Sequence, residues 1–140
     1  MPLTLPLSPR GRGWGEGEEM EKNDVVIVSA VRTPFGKFGG TLKDIPSIDL
    51  GAMVIREVLR RVNVKGEEVE ETYYGSAVPA EVSLETDVPA RQATLKGGMP
   101  SEAVSITVDR ACCSSLAAVR LGYRGIKTGE IEVALGVGAE

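Results

Sequence analysis

The stretch Ser105–Val119, SITVDRACCSSLAAV, decides how this chain is read. Its first half is apolar and β-branched, which favours an extended strand. Its second half, from Ser114 onward, is made of small and helix-favouring residues. A strand that hands over to a helix within a few residues marks a strand–turn–helix unit. Both cysteines of the chain, Cys112 and Cys113, sit at that handover.

Working outward, the same alternation repeats on both sides. Downstream, CSSLAAVRLGYRGIKTG reads as a helix with Leu116, Val119, Tyr123 and Ile126 along one side and Gly129 as its stop. IEVALGVGA follows as a buried strand. Upstream, ETDVPARQATLKGG reads as a short helix, with Thr86 or Asp87 as cap, Pro89 in the first turn and Gly97–Gly98 as the end. VEETYYGSAV precedes it as a strand carrying Tyr73 and Tyr74.

Before that, Ser47 can cap a helix whose apolar positions are Ile48, Leu50, Val54, Ile55, Val58 and Leu59. Arg60, Arg61 and Lys65 suit its negative end. RTPFGKFGGTLKDIPS is a long loop, and DVVIVSAV, Asp24–Val31, reads as a strand buried on both faces. Strands alternating with helices predict an α/β fold with a mostly parallel sheet and flanking helices.

The first nineteen residues, MPLTLPLSPRGRGWGEGEE, differ in kind. Seven are Pro or Gly, and Pro2, Pro6 and Pro9 interrupt the apolar positions. Residues 1–19 are therefore expected to be a disordered tail, with Met20 an alternative start of translation and 20–140 the folded part. Without Arg10, Arg12, Glu16, Glu18 and Glu19 the remainder holds 14 basic and 17 acidic residues, a net −3. Mild acidity with scattered Lys and Arg argues against a nucleic-acid partner. No apolar run approaches the roughly 18 residues of a membrane span, so a cytoplasmic protein is expected.

The cysteine pair narrows the chemistry. Adjacent Cα atoms lie about 3.8 Å apart, below the 4.4–6.8 Å usual for disulfides. The chain has no histidine, which excludes a Cys/His metal site or dyad built from this chain, and no metal is expected. Cys112 falls at the carboxyl end of a strand, where open α/β sheets gather their ligands. A following helix offers unpaired N–H groups and partial positive charge, one of the settings that lower the pKa of a cysteine. The same N–H groups can stabilise an oxyanion. Cys112 is thus a candidate nucleophile, while a small buried space-filler is the competing reading. Cys113, one step into the helix, is expected to be a packing residue. Ala111, Ser114 and Ser115 are expected to leave room for a substrate.

Five blocks in order carry a resemblance: VVIVSAVRTPFGKFGG, DLGAMVIREVLRRVNV, VPARQATLKGGMP, TVDRACCSSLAAV and EVALGVGAE. They resemble the amino-terminal part of thiolases, the acetyl-CoA acetyltransferase and 3-ketoacyl-CoA thiolase group, over about residues 24–140. The resemblance implies a partial thiolase N-terminal domain that lacks the second domain. It implies that Cys112 is the nucleophile, taking the acyl group of an acyl-CoA as a thioester with its backbone N–H in the oxyanion hole. Coenzyme A is then a co-substrate rather than a bound cofactor, and the complete enzyme is expected to be a homodimer or homotetramer.

Several residues depart from the family pattern. Asp109 stands where Asn is usual, Ser115 where Gly is usual, and Cys113 where a small residue is usual. Asp109, Ala111, Cys112, Ser114, Ser115 and Leu116 look closer to β-ketoacyl synthases, whereas Arg32-Thr33-Pro34-Phe35-Gly36 is a thiolase feature. Ser115 is expected to crowd the substrate and so to affect its choice. Because the family activates its nucleophile with a histidine, this chain alone is expected to be inactive. A β-ketoacyl synthase-like condensing protein and a non-catalytic remnant or subunit are the alternatives. Arg91 and Lys96, possible contacts for CoA phosphates, are read as solvated charges, and Glu67–Glu71 as a solvated turn.

Overall fold

The structure, a computed structural model, describes residues 5–8, 24–78 and 88–139. The elements are β1 (Leu5–Ser8), β2 (Val26–Ile27), α1 (Ser47–Val62), a 3₁₀ turn (Gly66–Glu68), β3 (Glu71–Gly75), α2 (Pro89–Lys96), β4 (Val104–Val108), α3 (Ser114–Thr128) and β5 (Ala134–Gly138). They form one sheet in the order β2-β1-β5-β3-β4. β3 lies between two parallel neighbours, with Glu71 opposite Val104 and Ala134, and Gly75 opposite Val108 and Gly138. β1 runs antiparallel to both β5 and β2. Among the described strands four therefore share one direction and β1 is reversed, the mostly parallel α/β sheet that the alternation predicts.

Alternate residues of the central strands feed two cores. Tyr74, Leu135 and Val137 pack with Ile48, Val54, Ile55, Val58 and Leu59 of α1 and with Ala90 and Ala93 of α2. Tyr73 and Ala134 pack on the other face with Ala118 and Ile126 of α3. Fully burying a side chain such as Leu135 or Val137 is worth about 1.5–3 kcal/mol, so β5, buried at every position, anchors both layers. α1 ends on Asn63 in the left-handed region at φ 52, and Gly129 closes α3 at φ 78, as C-terminal signals predict. Helix α1 begins at Ser47 itself, so the cap position falls on Pro46, which makes no side-chain capping bond. The expected caps of α2, Thr86 and Asp87, lie outside the described residues, and Pro89 is the first helical residue.

Three expectations are corrected. The strand at Asp24–Val31 shortens to Val26–Ile27, and Ile27 is 57% exposed. Among the described residues it pairs only with β1, at the sheet margin, so it is an edge strand rather than a central one. Leu5–Ser8, expected in the disordered tail, is a strand whose backbone groups complete the ladders of β5 and β2. The other residues of 1–19 lie outside the described residues.

The third correction concerns the face that α3 buries. The side turned to the sheet is Ser114, Ala118, Gly122, Gly125 and Ile126, while Leu116 and Tyr123 are 69% and 47% exposed. The cause is close approach. A Cβ on Gly75 would lie 2.4 Å from the Ser114 carbonyl carbon, and one on Gly136 would lie 3.1 Å from a Val119 methyl. Helix and sheet meet glycine against small residue, leaving no depth for Leu or Tyr between them.

Candidate active site

The corner between β4 and α3 is built by four residues acting on one another. The Asp109 carboxylate accepts a hydrogen bond from the Ala111 N–H at 2.9 Å, a local turn that short acidic side chains favour. Ala111 then adopts φ 48, a left-handed conformation uncommon outside glycine. Ser114, only 1% exposed, closes the loop from inside. Its Oγ accepts from the Arg110 N–H at 2.8 Å and donates to the Ala111 carbonyl at 2.7 Å. The N–H groups of Cys113 and Ser114 donate to the carbonyls of Arg110 and Ala111.

This corner projects both thiols outward. Cys112 and Cys113 are free and exposed. The exposure of Cys112 removes the reading of that residue as a buried space-filler. Cys113 is likewise not the packing residue expected of it. It is the residue before the first helical position, and the inward place is taken by Ser114. The corner is anchored to the sheet where the Ser76 N–H donates to the Val108 carbonyl at 3.0 Å, and the Ala139 N–H to that of Gly75 at 3.1 Å. The carboxyl ends of β3 and β5 thus meet the first residues of α3, Ser114 and Ser115, just after the two cysteines.

Ser114 does not serve as expected. Ser114 braces the loop, and Ser115 turns toward β5, where a Cβ on Gly138 would lie 1.9 Å from its Oγ. Ser114 is a buried brace rather than a small residue that leaves room for substrate. Asp109 and Ser114 are the positions whose roles sequence reasoning missed. The signal was present in a short polar side chain two residues before Ala111 and a hydroxyl four residues after Arg110, spacings that permit side chain–backbone bonds.

The basic residues considered for CoA phosphates have other partners. Arg91 is half-buried and donates to the carbonyls of Ala103 at 2.8 Å and Ser101 at 2.5 Å. It ties α2 to the segment before β4 rather than standing solvated. Lys96 pairs with Asp49 at 2.6 Å on the exposed surface between α2 and α1. Among the acidic residues, Glu70 accepts from the N–H groups of Glu132 and Val133, which binds the start of β3 to the approach of β5. Among the described residues there is no cluster of metal-ligating side chains and no helix long and apolar enough to cross a membrane.

The sequence model of the thiolase N-terminal domain matches residues 25–140. The chain belongs to the thiolase family. Acetyl-CoA acetyltransferase of Schizosaccharomyces pombe is 40% identical over 121 residues, covering 86% of this chain and 30% of that protein. Acetyl-CoA acetyltransferase of Cupriavidus necator is 44% identical over 117 residues, 84% of this chain and 29% of that one. A probable acetyl-CoA acyltransferase of Staphylococcus aureus is 38% identical over 116 residues, at 83% and 29%. The chain thus spans about 30% of the length of these curated relatives. The thiolase match contains Cys112 and the whole corner, and excludes β1.

Proposed function

We propose that this chain supplies the acyl-accepting cysteine of a thiolase-type acyltransferase acting on acyl-CoA thioesters. The observation that carries the reading is the exposure of Cys112 on a corner held by Ala111 and Ser114 at the carboxyl ends of β4 and β3. The Cys112 sulfur, as thiolate, attacks the thioester carbonyl carbon. The carbon–sulfur bond to CoA then breaks, CoA leaves as a thiolate that takes up a proton, and the acyl group remains on Cys112 as a new thioester. The Cys112 N–H is one donor to the oxygen that carries charge during the attack.

The second half-reaction returns the acyl group to a CoA thiol or to the α-carbon of another acyl-CoA. Both routes need an acid/base, which thiolases draw from a second cysteine beside the histidine that activates the nucleophile, and this chain has no histidine and no cysteine beyond Cys112 and Cys113. The chain alone therefore stops at the acyl-enzyme. The complete enzyme, a homodimer or homotetramer on this reading, turns over.

Mixing the chain with acetyl-CoA and following liberated CoA chromatographically tests this. The expected result is a burst of at most one CoA per chain without steady turnover, absent in Cys112→Ser. No burst, or an equal burst from Cys112→Ser, contradicts the proposal. A burst obtained with an acyl-carrier protein but not with acyl-CoA would move the assignment to a β-ketoacyl synthase-like protein.

A further inference from the structure

We propose that Cys112 and Cys113 together form a two-thiol site that captures trivalent arsenicals. Both thiols are free and exposed, and they are the only cysteines of the chain. They occupy one corner whose backbone is held on either side by the Asp109–Ala111 and Ser114–Arg110 hydrogen bonds. The two side chains therefore leave a braced support instead of a mobile loop.

The covalent geometry selects the ligand. Neighbouring Cα atoms about 3.8 Å apart are too close for an unstrained disulfide, so direct oxidation closes a tight ring across the intervening peptide. Inserting one large atom between the sulfurs adds a ring member and removes the need for an S–S contact. Thiolate sulfur is a soft donor that prefers soft acceptors, and trivalent arsenic accepts two such donors while keeping a third substituent. Capture involves no change of oxidation state. With an aryl arsenoxide, two S–H bonds and the arsenic–oxygen bonds break, two arsenic–sulfur bonds form, and both thiol protons leave with the oxygen as water. Serine at either position cannot form the second arsenic–sulfur bond. The pair is thus distinct from a single reactive cysteine, and the inference does not depend on Cys112 being able to react with acyl-CoA.

Phenylarsine oxide is the probe. The reduced full chain, incubated with it and desalted, is examined by intact mass spectrometry and then by iodoacetamide labelling. The expected result is one phenylarsenic group per chain, both cysteines protected from alkylation, and release by a dithiol but not by an equal concentration of a monothiol. Cys112→Ser and Cys113→Ser each lose the adduct on desalting. Absence of the adduct on the unaltered chain, or its retention by either single-cysteine variant, overturns the proposal.

Discussion

The hydroxyl of Ser114 and the backbone N–H of Arg110 meet at 2.8 Å across the loop that carries Cys112. A buried side chain of α3 thereby holds the end of β4 and sets where the thiol projects. Replacing Ser114 by Ala removes the acceptor and leaves the Arg110 N–H without it. Such a loss costs about 1–3 kcal/mol. Urea unfolding of Ser114→Ala is expected to show a lower midpoint with little change in slope, and the CoA burst is expected to slow. An unchanged midpoint would mean that the hydroxyl does not brace the corner.

Ala111 turns the chain at φ 48, where a Cβ is unfavourable by roughly 1–2 kcal/mol. Glycine relieves that strain but gains freedom in the unfolded chain. Ala111→Gly is therefore expected to be neutral or to stabilise by up to about 1 kcal/mol, whereas β-branched Ala111→Val is expected to destabilise. Thermal unfolding of the two variants side by side checks the order.

Close contact between α3 and β5 makes a pair of substitutions informative. Gly138→Ala puts a Cβ 1.9 Å from Ser115 Oγ and 2.5 Å from its Cβ, but 3.3 Å from its Cα. Overpacking of this kind costs about 1–3 kcal/mol. Adding Ser115→Gly removes the two nearest atoms, so the double variant is expected to recover part of the loss. Gly75→Ala meets the Ser114 backbone at 2.4 Å, and no side-chain change is expected to rescue it. Stabilities that simply add in the first pair would contradict the contact.

Tyr73 gives a pH signature. Burial foremost, and then the hydrogen bond its hydroxyl donates to Glu71, push the phenol well above its ordinary range. A folded-state pKa raised above the unfolded value of about 10 stabilises the fold fully below that pH. The contribution is then lost progressively as pH rises toward the folded value. Stability of the unaltered chain is expected to decline above about pH 10, and Tyr73→Phe is expected to flatten that part of the curve. Equal alkaline slopes for the two proteins would contradict the assignment.

Much of this organisation was legible in local pattern. The apolar spacing of Ile48, Val54, Ile55, Val58 and Leu59 announced α1, and the apolar run at Ala134–Gly138 announced a buried strand. Gly129 marked the end of α3, and the change of residue type around Cys112 marked the corner. Long-range pairing was not legible. Nothing local distinguishes Val26–Ile27, paired on one side with β1, from a central strand, and nothing in the proline-rich tail reveals that Leu5–Ser8 pairs between β2 and β5. The buried face of α3 was misread because apolar size was taken as the sign of burial. Gly75, Gly136 and Gly138 let the helix settle on its small residues, so Leu116 and Tyr123 face outward.

The most direct measurement asks which sulfur carries the acyl group. The chain is incubated with acetyl-CoA, digested under acidic conditions that preserve thioesters, and the peptide holding both cysteines is fragmented in a mass spectrometer. The account predicts the added acetyl mass on Cys112, formed before any appears on Cys113. Acetyl found first or only on Cys113, or no acetyl on this peptide, would contradict it.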